Sequence, residues 1–249
     1  MAASPEMPPP PVPPDLDPSR STREIWTRWA LCAVAEGGAV NLARRTMNAP
    51  ALAAIYEKAW RPALFYLASG RTNAADRRDA VTTLRLDGAK RVLDIACGPG
   101  NFTRYLSNAL DGDGFAIGLD YSEPMLARAV TDNAGPRVGY LRGDARTLPF
   151  ADGTFDAVCC FGALYLIPDP IAATREMIRV LAPGGRIAIT TSHRADNPFG
   201  RASRVVGGWS GLRVFDDETF PKLFAEAGLI DIDQQVHRLL QYISATRPL

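Results

Sequence analysis

Lysine is scarce in this chain of 249 residues: Lys58, Lys90 and Lys222 are the only three, and arginine carries the rest of the positive charge. The basic residues are scattered among acids, and the formal net charge is +1. No basic block or stripe forms, which argues against nucleic acid as a partner and against attraction to an anionic membrane. Cysteine is also sparse. Cys32, Cys97, Cys159 and Cys160 form no CxxC pair, and Cys159-Cys160 lies in an apolar run where neighbours point to opposite faces of a strand. A disulfide framework or a metal site is not expected, and a reducing cytoplasm is the expected location. No run is apolar enough to span a bilayer. Trp29 to Val40 is interrupted by Glu36 and lacks the basic start and small-residue cleavage pattern of a signal peptide, so it reads as a helix of the mature protein.

Proline, by contrast, is plentiful at the start. Residues 1–20 include Pro8-Pro9-Pro10-Pro11 and have no apolar face to bury, so they read as an extended, mobile tail. Residues 21–88 have helical texture. Ile25, Trp29, Cys32 and Val34 give a first helix its apolar side, and Gly37-Gly38 breaks it. A second helix is predicted over residues 51–68, kinked at Pro62, and a third over residues 76–86. A helical appendage of this length suits a lid over a ligand cleft.

From residue 89 to 249 strands and helices alternate, the pattern of an α/β, Rossmann-like doubly wound sheet. Strands are predicted at residues 91–96, 115–120, 137–141, 155–161 and 186–191. A last helix over 217–227 and a hairpin of two strands, 229–236 and 240–246, close the chain. The unit that organises the rest is Val92-Leu93-Asp94-Ile95-Ala96-Cys97-Gly98-Pro99-Gly100-Asn101-Phe102-Thr103. An apolar strand ends in a turn with two glycines one residue apart and runs into a helix. That geometry lets backbone approach a nucleotide-like ligand where a side chain would block it.

Three further loops belong at the same carboxyl edge of the sheet. Asp120-Tyr121-Ser122 puts an acid about twenty residues past the glycine turn, placed to accept from both hydroxyls of a ribose, with Ser122 left to cap the next helix. Asp144-Ala145 follows the third strand and offers a carboxylate and a backbone N–H to an aminopurine edge. Phe161-Gly162-Ala163-Leu164-Tyr165 follows the fourth and faces the centre of the cleft.

In their order and spacing, VLDIACGPGNFT, GLDYSEPMLARA, GDARTLPFADGTFDAV and EMIRVLAPGGRIAITT resemble the class I S-adenosylmethionine-dependent methyltransferases. The resemblance covers roughly residues 89–191 and is greatest to the branch of ubiquinone/menaquinone-biosynthesis C-methyltransferases and many small-molecule methyltransferases. It implies a seven-stranded sheet with the last strand antiparallel and S-adenosyl-L-methionine as cofactor. Asp94, Ala96, Cys97, Gly98 and Gly100 would hold the methionine portion, and Asp120 the ribose. Tyr121 and Met125 would flank the adenine, Asp144 and Ala145 would bind its edge, and Phe161 would line the pocket near the sulfur. Pro99 stands where many relatives carry Thr or Ser, which removes one hydroxyl and leaves the backbone cradle.

The function so implied is methyl transfer to a small-molecule acceptor, hydrophobic or aromatic, at carbon or oxygen. His193, directly after the fifth strand, and Tyr165 are the candidates for handling an acceptor proton. Tyr56, Trp60 and Trp209 are the candidate substrate-binding residues, an aromatic cover over the cleft. Two competing readings stay open. A nicotinamide dinucleotide oxidoreductase would use a similar glycine turn, but here Thr103 stands where a third small residue belongs and no second mononucleotide half follows. The chain would alternatively bind the cofactor without catalysis, as a sensor or scaffold.

Overall fold

The computed structural model describes residues 61–194 and 213–249. In chain order these form α1 (Arg61–Ser69), α2 (Asn73–Thr83), β1 (Arg91–Ile95), α3 (Asn101–Ser107), β2 (Phe115–Asp120), α4 (Glu123–Asp132) and β3 (Val138–Arg142). Then come β4 (Phe155–Phe161), a 3-10 turn (Leu164–Leu166), α5 (Pro170–Val180), β5 (Leu181–Ser192), α6 (Thr219–Glu226), β6 (Ile230–His237) and β7 (Leu240–Thr246). The seven strands make one sheet in the order β3-β2-β1-β4-β5-β7-β6. β1 to β5 are parallel, and β7 runs antiparallel to both of its neighbours. The α/β, doubly wound architecture with an antiparallel last strand is the one expected.

Local chemistry explains where elements begin. α2 starts at Asn73 rather than Asp76, because Thr72 Oγ1 accepts from the Ala75 N–H and caps the turn. α5 opens on Asp169, whose Oδ1 accepts from the Ala172 N–H, with Pro170 in the first position. β5 formally begins at Leu181, yet its pairing with β4 jumps from Phe155–Leu181 to Ala157–Arg186. The intervening Pro183-Gly184-Gly185 is looped out, with Gly184 at φ 73°, and regular pairing starts at Arg186. The predicted residues 1–60, with the first helix and most of the second, lie outside the described residues.

One sheet face carries Val92 and Asp94 of β1 in register with Ala157 and Cys159 of β4, and next to them Ala188 of β5. Ala80 and Leu84 from α2 and Leu106 with Leu110 from the α3 side cover it as a single apolar core. α2, grouped with the leading segment on sequence grounds, is thus packed into the same core as the strands. Arg186 ties it down. This nearly buried guanidinium donates from Nε to Thr83 O at 2.9 Å, from Nη1 to Thr246 Oγ1 at 2.7 Å and from Nη2 to Ser244 Oγ at 3.2 Å. Burial, with nearby Arg85 adding repulsion, holds its pKa below the ordinary arginine value.

A buried acid fixes α3 against β1. Asp94, 2% exposed, accepts from Thr103 Oγ1 at 2.6 Å and from Cys159 Sγ at 3.7 Å. Thr103→Val keeps the side-chain volume but deletes the donor to this carboxylate. It should cost about 1.5–3 kcal/mol, the range for a hydrogen bond to a charged group. Urea denaturation should show the midpoint falling with an unchanged slope.

Candidate active site

The glycine turn is strained and braced. Ala96 sits at φ 55°, a left-handed conformation that costs a residue with a Cβ about 1–2 kcal/mol. Gly98 and Gly100 follow at φ 57° and φ 79°. A Cβ on Gly100 would lie 2.5 Å from the Tyr140 hydroxyl, so glycine is required there by space as well as by backbone angle. Tyr140 reaches over from β3 and donates to Asn133 O at 2.9 Å, with Gly100 O at 3.3 Å. Burial pushes its phenol well above the usual tyrosine value, so it remains a donor. Asn133 Nδ2 donates to Pro99 O at 2.7 Å. Neither Tyr140 nor Asn133 was singled out from the sequence, because bracing across strands leaves no local motif.

Asp120 closes the turn from the end of β2. Its Oδ2 accepts from the Gly98 N–H at 2.7 Å and its Oδ1 from the Ser122 N–H at 2.8 Å. The expectation that Ser122 would cap α4 and spare Asp120 needs correcting: Ser122 occupies the cap position without a side-chain cap bond. A carboxylate has about four acceptor directions, the chemistry that a ribose diol requires. Tyr121 beside it is half exposed, with the Arg142 guanidinium 6.0 Å from its ring centroid. Met125 is buried on the inner face of α4, and Ala145 and Cys97 are buried as well.

Asp144 forks with Arg146, Nη2 to Oδ2 at 2.6 Å and Nε at 3.0 Å, and also accepts from the Arg146 N–H. That pairing raises the Arg146 pKa. Phe161 closes β4, its ring 4.8 Å from that of Phe102. The thiols of Cys97, Cys159 and Cys160 are all pushed up by burial, which leaves them protonated and inert. Among the described residues no group of three His, Cys, Asp or Glu is arranged to hold a metal ion.

His193 is pinned rather than poised. Its Nε2 lies 2.5 Å from Asp217 Oδ1 and its Nδ1 3.2 Å from Arg238 O. With both ring nitrogens engaged by protein acceptors, the geometry gives no support to a role in removing a substrate proton. Tyr165 lies in the 3-10 turn after β4, where its carbonyl accepts from the Arg213 N–H at 3.3 Å. The expected substrate-binding residues Tyr56, Trp60 and Trp209 lie outside the described residues.

Comparison with known proteins gives the family. A family model described as a methyltransferase domain matches residues 92–185. The demethylmenaquinone methyltransferase of Lactiplantibacillus plantarum is 37% identical over 127 residues, 49% of this chain and 54% of that protein. That of Staphylococcus epidermidis is 31% identical over 179 residues, 63% of this chain and 74% of the relative. The chain belongs to the class I S-adenosylmethionine-dependent methyltransferases, in the branch of the demethylmenaquinone enzymes. The nicotinamide reading falls with this assignment. A 2-phytyl-1,4-naphtoquinone methyltransferase of Thermosynechococcus vestitus is 39% identical over 112 residues, 44% of this chain and 49% of that one. The chain thus spans about half the length of several curated relatives it matches.

Solved structures share the fold. A methyltransferase-like protein from Bacillus halodurans superposes with a TM-score of 0.60 at 20% identity, over 70% of this chain and all of that one. The [4+2]-cyclase SpnF does so at 0.58 and 20%, over 70% of this chain and 80% of its own. A cyclase on the same scaffold shows that this methyltransferase fold does not by itself dictate methyl transfer.

Beside the methyltransferase glycine turn lies a cavity of about 430 Å³. It shares Asn101, Phe102 and Phe161 with the turn's side of the sheet but not Asp120 or Asp144. It runs beneath α2 to Thr190 on β5, Tyr242 on β7 and Gln235 on β6, and Phe65 of α1 walls it next to Gly162. Burial pushes the Tyr242 phenol up to about 12, so it stays a donor, 3.3 Å from Asp76 Oδ1.

Two substitutions test the strain in the turn. Ala96→Gly should stabilise by about 0.5–1 kcal/mol, the left-handed strain relieved less the entropy of glycine, and raise Tm by about 1–3 °C. Gly100→Ala should destabilise by about 2–4 kcal/mol, since it adds left-handed strain and displaces Tyr140 from its hydrogen bonds. Thermal melts of both variants against the parent would read the opposite signs.

Proposed function

We propose that this protein transfers a methyl group from S-adenosyl-L-methionine to a small aromatic acceptor of the quinol type, at carbon or oxygen. The observation that carries the reading is the Asp120 carboxylate bonded to the Gly98 N–H at the junction of β1 and β2. It joins the two expected cofactor contacts, ribose acceptor and backbone cradle, into one unit. The residues present fit the group: a left-handed glycine turn for the methionine portion, Asp120 for the ribose, half-exposed Tyr121 against the adenine, and Asp144 with Ala145 at its edge. Asp144 would share its carboxylate between Arg146 and the adenine amine.

When bound, the cofactor supplies an electrophilic methyl group on a sulfonium that is its own leaving group. The chain's task is then to place the acceptor in line and to exclude water. Phe161, Phe102 and Phe65 line the wall between turn and cavity and suit a flat ring. The quinol class is supported by the names of the relatives, whose acceptors are demethylmenaquinone and 2-phytyl-1,4-naphthoquinone. An ionised quinol is a sufficient nucleophile at its ring carbon or oxygen, so a dedicated base is not required. Tyr165 is left to orient the ring. No helix among the described residues is long and apolar enough to cross a membrane.

Calorimetric titration with S-adenosylmethionine and S-adenosylhomocysteine, then mass-spectrometric assay with a prenylated 1,4-naphthoquinone under reducing conditions, tests the reading. Binding of both ligands and a gain of one methyl group on the acceptor are expected. Absence of binding would refute the cofactor site. Binding without transfer to any acceptor in a broad panel would favour a non-catalytic sensor. Asp120→Ala should weaken S-adenosylhomocysteine binding by about 1–3 kcal/mol through loss of a charged acceptor. His193→Ala should leave that affinity and the turnover nearly unchanged, and a severe fall in turnover alone would restore a proton-transfer role.

A further inference from the structure

One register row of the sheet forms the floor of the cavity beneath α2. Phe161 of β4 pairs with Thr190 of β5, Thr190 with Tyr242 of β7, and Tyr242 with Gln235 of β6, and all four line the space. Side chains in such a row stand on the same face of the sheet. Two strand spacings separate Phe161 from Tyr242, about 10 Å at the backbone, which leaves room for a flat bicyclic ring over Thr190. The row is graded in chemistry. It is aromatic toward the glycine turn, carries hydroxyls at Thr190 and Tyr242, and ends in the exposed amide of Gln235.

The hydrogen of the Tyr242 hydroxyl is already committed within the protein. It is donated to Asp76 Oδ1 at 3.3 Å. The other polar neighbour of the hydroxyl, Ser69 Oγ, gives its own hydrogen to Phe65 O at 2.7 Å and so has none for Tyr242. Arg71 fixes the arrangement, ion-paired with Asp76 at 2.7 Å and lying 5.2 Å from the centroid of the Tyr242 ring. A phenol whose hydrogen is taken in this way offers a ligand only lone pairs. Its oxygen accepts from a hydroxyl and has nothing to give a carbonyl. The two redox forms of a quinone differ in this respect, since the quinol carries O–H donors and the quinone only acceptors.

We propose that Tyr242 positions the acceptor by taking a hydrogen bond from its distal hydroxyl, and so makes the site prefer the quinol to the quinone. The assignment rests on the acceptor class proposed above and adds to it a residue of β7, outside the four cofactor loops. A ring with one edge at Phe161, on the cofactor side, presents its opposite oxygen toward Tyr242. Gln235, next in the row, is exposed and donates to Asp233 Oδ2 at 3.1 Å, so water competes for it. The reduced ring is the electron-rich and nucleophilic one, so the form that Tyr242 favours is the form a methyl donor can alkylate.

Anaerobic titration of the full chain, saturated with S-adenosylhomocysteine, tests this with 1,4-naphthoquinone and its quinol, 1,4-dihydroxynaphthalene, as probes. The parent chain should bind the quinol about tenfold more tightly than the quinone. Tyr242→Phe keeps the ring beneath Arg71 and removes only the accepting oxygen. It should weaken the quinol about 5- to 10-fold, the loss of one neutral hydrogen bond. Affinities for the quinone and for S-adenosylhomocysteine should stay within about twofold of the parent, since neither uses that oxygen. A melting temperature close to that of the parent checks that the variant folds. Equal weakening of both probes would show a merely structural role and overturn the proposal, as would weakening of neither or a parent that binds the two forms alike. A parent that binds S-adenosylhomocysteine but neither probe would bring down the acceptor class, and the assignment with it. Failure to bind S-adenosylhomocysteine would instead bring down the cofactor reading on which both stand.

Discussion

A single carboxylate holds the candidate site in shape. Asp120, at the end of β2, takes the amide hydrogen of Gly98 at the end of β1 and that of Ser122 at the start of α4. Three chain segments therefore converge on one charge, and the glycine turn cannot relax without breaking a charge-assisted bond. The turn needs that restraint, because Ala96, Gly98 and Gly100 are all left-handed and Ala96 has no conformational reason to stay so. Tyr140 and Asn133 add a second restraint from β3 and the end of α4. Strain held by surrounding contacts keeps the amides of the turn oriented before a ligand arrives, which lowers the cost of ordering them on binding.

Below the turn, Asp94 and Thr103 lock α3 to β1, and on the flank Arg186 locks the end of α2 to β5 and β7. Both are polar interactions inside an otherwise apolar layer, and both fix the two helices that border the cavity. The cavity exists because the sheet face under α2 turns polar toward β6 and β7. Thr190, Tyr242, Ser244 and Gln235 stand where the β1–β4 half of the same face has Val92, Ala157 and Cys159. α2 lines the same space with Asn73, Asp76 and Arg77 beside Ala80, and the cavity adjoins the glycine turn. Site and cavity are thus two results of how one face of the sheet is covered.

Much of this was legible from residue order. Alternating strand and helix signals, two glycines after an apolar strand and an acid after each of the next two strands are local, and local patterns survive in one dimension. The same patterns carried the resemblance to the family, and that resemblance implied the seven-stranded sheet and its antiparallel closing strand. Readings that depended on partners from afar fared differently. His193 looked available at the end of β5, but Asp217 and Arg238, from the α6 region and the β6–β7 turn, engage both its nitrogens. Ser122 looked like the cap that would release Asp120, yet the carboxylate was the better acceptor for its backbone.

The sequence by itself determined which elements form, in what order, and which residue types stand at the cofactor edge, because hydrophobic period, turn chemistry and motif spacing are properties of neighbours along the chain. Tertiary structure alone decided which polar groups are already satisfied and which are left wanting a partner. Among the described residues Arg71 has an ion pair and Arg77 has none, although they lie six positions apart, because pairing is settled by distance in space and not by position in the chain.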